Sequence, residues 1–87
     1  MLSEMPINLE KVKKEDIDKE IMRTAMIAEL DAINMYESMA ALTEDSELAT
    51  ILLDVAREEK IHVAMFQTVL MEVDTEYLKV MMDYSLK

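Results

Sequence analysis

The sequence lacks cysteine, glycine and tryptophan altogether, and it contains a single proline and a single histidine. The absence of cysteine excludes disulfide bonds, thiolate zinc sites and iron–sulfur clusters. The absence of glycine excludes phosphate-binding glycine loops and the tight turns on which most short-looped β-sheets depend. An all-α fold is the class that remains.

Length and charge narrow the range of functions further. The 87 residues are enough for one domain, and a single copy is too small to bury an extensive core. The formal net charge of −10 repels nucleic-acid phosphates and favours cationic ligands such as metal ions. No uncharged apolar run reaches the roughly 18 residues of a membrane span. Residues 1–14 lack the features of a signal peptide, so a cytoplasmic location without nucleic-acid or membrane partners is expected.

Apolar spacing and turn-forming residues predict three helices in a single domain. Two long stretches repeat apolar residues every three or four positions, with a polar cluster at Thr43–Ser46 between them that predicts a tight connection. Asp74 and Thr75 provide a second helix-start signal. The predicted organisation is a leader over residues 1–14, helix 1 over 15–42, helix 2 over 46–73 and a short helix 3 over 75–86.

Both long helices carry a carboxylate inside an apolar stripe. Projection at about 100° per residue places Glu29 in the centre of the first stripe and Glu59 in the centre of the second, with His62 beside it. The other members of the stripes are Met22, Ala25, Met26, Ile33, Tyr36 and Ala40 on helix 1, and Leu48, Leu52, Val55, Ala56, Val63, Phe66, Leu70 and Val73 on helix 2. Arg23, Asp31, Arg57 and Lys60 are predicted to point away from the stripes. A carboxylate buried in such a stripe is costly unless a cation or several hydrogen bonds compensate it.

The hairpin geometry explains both carboxylates together. With the turn centred near Glu44, residue n lies opposite residue 88 − n, so that Glu29 is level with Glu59. His62 follows Glu59 by three positions and leaves the same helix face, so all three side chains can converge on one ion. Taken separately, each residue has a plainer interpretation as an edge carboxylate or a packed imidazole, and it is their coincidence at one level that favours a metal site.

A two-helix hairpin cannot cover its own apolar stripe, so we expect two copies to form a four-helix bundle. Two-fold symmetry doubles the ligands to four Glu and two His, the inventory of carboxylate-bridged di-iron bundles. This oxygen-rich set suits Fe(II) or Mn(II) better than structural zinc. The ten methionines could suggest a copper site, but several of them lie on the packing faces, where methionine is an ordinary core residue.

The segments Ala28–Glu37 and Asp54–His62 resemble the encapsulated ferritins, short ferritin-like proteins found inside encapsulin nanocompartments. The resemblance covers roughly residues 21–73. It implies a ferritin-like hairpin that dimerises around a di-iron ferroxidase centre, with dimers joined in a ring, commonly a decamer, and an encapsulin shell protein as partner. It further implies that Glu29, Glu59 and His62 are iron ligands, with Mn or Ca as substitute ions, and that Tyr36 lies beside the metals. Such proteins oxidise Fe(II) with oxygen and deliver ferric iron to the shell lumen for storage.

The sequence departs from the family pattern in two places. The type member has acidic residues flanking the first ligand and a tryptophan before the tyrosine. This chain retains an acidic residue only at Asp31 and has Ala28 and Met35 at the other positions. The glycine-containing docking tail of encapsulin cargo has no counterpart in residues 82–87. Because some archaeal relatives fuse the domain to the shell protein, this chain is expected to be such a domain or a free-standing relative.

Two other functions stay open on the sequence alone. A peroxidase similar to the rubrerythrins would use hydrogen peroxide in preference to oxygen, although the cysteine-rich electron-supply site of those proteins is missing. A non-catalytic helical assembly module would use the buried polar residues only to fix the pairing of helices.

Overall fold

The structure, a computed structural model, describes residues 11–85 and is helical throughout most of that range. It contains helices α1 (Ile17–Leu42), α2 (Ser46–Val73) and α3 (Thr75–Tyr84), and a short 3₁₀ segment at Lys14–Asp16 leads into α1. No strand occurs among the described residues. The all-α class with three helices is therefore confirmed. Most of the predicted leader, residues 1–10, and the predicted last residue of helix 3, residue 86, lie outside the described residues.

The link between α1 and α2 is short because side chains complete the hydrogen bonds at the end of one helix and the start of the next. Asp45 is the N-cap of α2, and its Oδ1 accepts hydrogen bonds from the backbone N–H groups of Glu47 at 2.9 Å and Leu48 at 3.2 Å. The hydroxyl oxygen of Thr43 accepts a hydrogen bond from the Asp45 N–H at 3.1 Å. Three residues therefore suffice to reverse the chain, and α1 and α2 pack as an antiparallel hairpin.

Asp74 forms the junction between α2 and α3. Its Oδ1 accepts a hydrogen bond from the backbone N–H of Tyr77 at 3.1 Å, which caps α3, and its Oδ2 lies 2.7 Å from Nη2 of Arg23 on α1. The backbone N–H of Asp74 donates to the carbonyl of Leu70 and so closes the last turn of α2. One side chain thus joins all three helices. The helix-start signal at Asp74 is borne out, and Arg23, which is predicted to point away from the apolar stripe, is exposed but also pairs with Asp74.

The interior of the single chain is small. Among the described residues, the hydrophobic ones that are buried are Ile33, Ala56 and Leu70. Large apolar side chains remain exposed along both long helices, for example Ile51, Met65 and Leu53 on α2 and Leu30 on α1. No helix within residues 11–85 has a stretch long and apolar enough to cross a membrane. The hairpin therefore leaves apolar surface on its helices that only contact with another molecule would cover.

Candidate metal centre

Glu29, Glu59 and His62 come together on one face of the hairpin. Nδ1 of His62 lies 3.4 Å from Oε2 of Glu29 and 3.5 Å from Oε2 of Glu59. One potential ligand atom from each of the three residues lies within 4.8 Å of the other two. The structure therefore brings together the three residues that the sequence predicts as metal ligands, one from α1 and two from α2.

Helix geometry accounts for this meeting. Glu59 and His62 are three positions apart on α2, so their side chains leave the same face of that helix. Glu29 approaches from α1 because the three-residue link makes the two helices antiparallel and fixes which turns are level. Burial is graded across the group, with 21% of the Glu29 side chain, 19% of the Glu59 side chain and 46% of the His62 side chain exposed.

The charge at this cluster is poorly compensated by the chain itself. Oε2 of Glu29 is buried and has no hydrogen-bond partner within the described part of the chain. Nδ1 of His62 lies 3.4 Å from this oxygen, and the ion pairs formed by the described lysines and arginines, those of Lys19, Arg23 and Lys60, involve other carboxylates. A desolvated carboxylate oxygen without a partner is unfavourable, and a cation at this point would compensate it.

The donor set indicates which cations fit. Two carboxylates and one imidazole form an oxygen-rich site of intermediate hardness, suitable for Fe(II) or Mn(II). Three side chains from one copy leave several coordination positions of such an ion unfilled. The side chains of all three residues remain partly exposed, so the cluster lies on an open face of the hairpin rather than inside it.

Tyr36 lies on the same side of α1 as Glu29 but two helical turns further along. Tyr36 is half-buried, and its hydroxyl forms no hydrogen bond to the other described residues. The structure therefore does not join Tyr36 to the three clustered side chains, and its role beside the metals stays a prediction.

Two charged residues predicted to point away from the apolar stripes have surroundings that this prediction does not describe. Nζ of Lys60 reaches across the hairpin to Oε2 of Glu37 at 2.7 Å, although Lys60 is predicted to point away from the apolar stripe. Oδ2 of Asp31 is buried without a hydrogen-bond partner, although Asp31 is predicted to face water. A helical projection shows only where a side chain starts, so it misses how far a long side chain reaches.

Comparison with known proteins connects this geometry to a family. Residues 4–86 match the model of the EncFtn-like family. A ferritin-like-encapsulin shell fusion protein of Pyrococcus furiosus is 53% identical over 78 residues, which represent 87% of this chain and 23% of the relative. The chain thus spans less than a quarter of the length of that curated relative.

A solved structure agrees with the sequence match. The crystal structure of the encapsulated ferritin domain from Pyrococcus furiosus superimposes with a TM-score of 0.78 and 47% sequence identity, covering 90% of this chain and 80% of that one. The resemblance seen in the sequence is therefore confirmed, and the chain belongs to the EncFtn-like family of encapsulated ferritins.

Proposed function

We propose that the protein is a ferroxidase that oxidises Fe(II) at a di-iron centre shared by two copies of the chain. The observation that carries this proposal is the meeting of Glu29, Glu59 and His62 around a carboxylate oxygen that no other described residue compensates. Iron is the substrate of this reaction. One dioxygen takes one electron from each of two Fe(II) ions and two protons from water, which gives two Fe(III) ions and hydrogen peroxide.

Two features of the single chain call for a second copy: the small number of ligands and the exposed apolar side chains. One chain offers three ligands, whereas a two-fold axis beside the cluster would supply four Glu and two His to two ions. The same pairing would cover apolar side chains that the single hairpin leaves exposed. In this arrangement Glu59 of each copy would serve as a ligand to both ions, and Glu29 and His62 would each complete the ligand set of one.

The shell partner is inferred from the relative. The Pyrococcus furiosus protein combines a ferritin-like part with an encapsulin shell in one chain. We propose the same context for this chain. Its dimers would form a ring, such as the decamer that is common in the family, and this ring would lie inside an encapsulin nanocompartment. Ferric iron released from the open face would then be stored as mineral in the shell lumen.

Anaerobic Fe(II) titration followed by exposure to air tests the proposal. The wild-type protein should develop the ultraviolet absorbance of ferric iron, and native mass measurement should show two iron ions per pair of chains. Glu59→Gln and His62→Ala should abolish rapid oxidation because each removes a ligand from both ions. Glu58→Gln is the matched control, since Glu58 is exposed and lies about 100° around α2 from Glu59.

Three outcomes would contradict the proposal. Variants of Glu29 or His62 that oxidise iron as fast as wild type would remove these residues from the centre. Faster reaction with hydrogen peroxide than with oxygen would indicate a peroxidase instead. A wild-type protein that binds neither iron nor manganese, and whose melting temperature does not respond to Fe(II), would indicate an assembly module.

A further inference from the structure

Two contacts between ionisable side chains join α1 directly to α2 among the described residues. One is the contact of His62 with Glu29, which belongs to the centre itself. The other joins Lys60 to Glu37 at 2.7 Å, and it has no place in the proposed ligand set. Lys60 directly follows Glu59 in the sequence, so any movement of this part of α2 displaces both side chains together.

The two contacts lie on opposite edges of the hairpin. On α1, the buried Ile33 projects between the directions of Glu29 and Glu37, which are about 80° apart. On α2, the buried Ala56 projects between the directions of Glu59 and Lys60, which are about 100° apart. The line of closest packing between the helices therefore runs between the metal-centre edge and the Lys60–Glu37 edge.

We infer that Lys60 and Glu37 are positioning residues, which hold α1 and α2 at the separation and rotation that bring Glu29 within reach of Glu59 and His62. This inference rests on the proposed function. Before a metal ion is bound, the carboxylates of Glu29 and Glu59 repel each other across one edge of the hairpin. The attraction between Lys60 and Glu37 on the other edge opposes separation of the helices and so keeps the ligands close together.

The expected effect is limited by the exposure of the pair. The side chains of Lys60 and Glu37 are 57% and 43% exposed, so water and salt weaken their attraction. An exposed ion pair of this kind can change a binding constant by roughly fivefold at most. The pair is therefore expected to adjust the affinity of the metal centre without deciding whether the chain folds.

Metal binding by charge variants tests this role. We would titrate the apo protein with Co(II), whose visible spectrum reports its coordination, and with Fe(II) under anaerobic conditions. Lys60→Gln and Glu37→Gln should each weaken binding by roughly threefold to fivefold and alter the Co(II) spectrum. The double swap Lys60→Glu with Glu37→Lys should restore both affinity and spectrum. Lys19→Gln is the matched control. Lys19 pairs with Asp16 three positions earlier in the sequence, so this ion pair does not join α1 to α2.

Thermal melting of each apo variant distinguishes an effect on the positions of the ligands from a loss of folded protein. A shift in metal affinity that the swap reverses, with similar melting temperatures, supports the inference. Wild-type affinity and spectrum in both single variants would overturn it while leaving the ferroxidase proposal intact. Absence of metal binding by the wild type would overturn both, since there would be no centre to position.

Discussion

Arg23 and Asp74 form a 2.7 Å ion pair although 51 residues separate them in the sequence. The aspartate is the one buried charged residue among those described, and its second oxygen caps α3 through the N–H of Tyr77. The first half of α1 is thereby tied to the junction of α2 and α3. The far end of the hairpin, away from its turn, is closed by this contact.

We predict that the two roles of Asp74 can be separated by substitution. Asp74→Asn keeps an N-cap side chain but loses the charge that pairs with Arg23, whereas Asp74→Ala loses both. The melting temperature should therefore fall by a few degrees in the Asn variant and further in the Ala variant. Asp83→Asn, at an exposed position of α3, should have little effect. Equal melting of all four proteins would show that the junction does not depend on Asp74.

The same residue predicts an acid-dependent loss of stability. The hydrogen bond from the Tyr77 N–H lowers the pKa of Asp74 below its ordinary value of 3.8, Arg23 and Lys19 lower it further, and burial opposes them. Because the pKa of the folded state is the lower one, this stabilisation is fully present only about one pH unit above the unfolded pKa of about 4, and it is lost progressively as the pH falls through the folded value. The gap in melting temperature between wild type and Asp74→Asn should narrow between about pH 5 and pH 3. A gap that stays constant would contradict the assignment.

The sequence was sufficient to predict the helices and the meeting of the three candidate ligands because both depend on periodicity. The apolar repeat determines which face of each helix is covered, and the polar cluster around Asp45 determines where the chain turns. Once the turn is located, the antiparallel pairing places Glu29 level with Glu59 without any further information. His62 follows from its spacing on α2.

The contacts of long charged side chains could not be predicted in the same way. Side chains of a helix lean towards its N-terminus, so partners on antiparallel helices meet although their backbones are not level, as Lys60 and Glu37 do. Arg23 likewise reaches Asp74 from a position that a projection assigns to water. The burial of an oxygen of Asp31 also depends on tertiary contacts that the pattern of one helix does not contain.

We predict that the start of α2 depends on Asp45. Asp45→Ala removes the oxygen that accepts hydrogen bonds from Glu47 and Leu48, and loss of such a cap costs about 1 kcal/mol of stability. Urea unfolding should show this decrease in the free energy of unfolding. Glu44→Ala is the control, because Glu44 is exposed and forms no hydrogen bond within residues 11–85. A larger effect at Glu44 than at Asp45 would contradict the capping role.

Ala56 links the packing of the two helices to the candidate metal centre. It is 1% exposed on α2, one turn before Glu59, where its small side chain allows α1 to come close. Ala56→Leu would force extra volume into this contact and should lower the free energy of unfolding by about 1–3 kcal/mol. Because the helices must move apart, Glu29 should also separate from His62. Fe(II) binding measured anaerobically should therefore weaken by more than the increase in the unfolded fraction explains.

The matched variant is Ala64→Leu, which adds the same volume at an exposed position of the same helix. It should leave both stability and Fe(II) affinity close to wild type, because no neighbouring helix in the hairpin opposes the larger side chain. If Ala56→Leu folds and binds Fe(II) as tightly as Ala64→Leu, close packing at Ala56 does not determine the distance between the ligands. The spacing would then depend on the side chains of the centre themselves or on contact with a second copy.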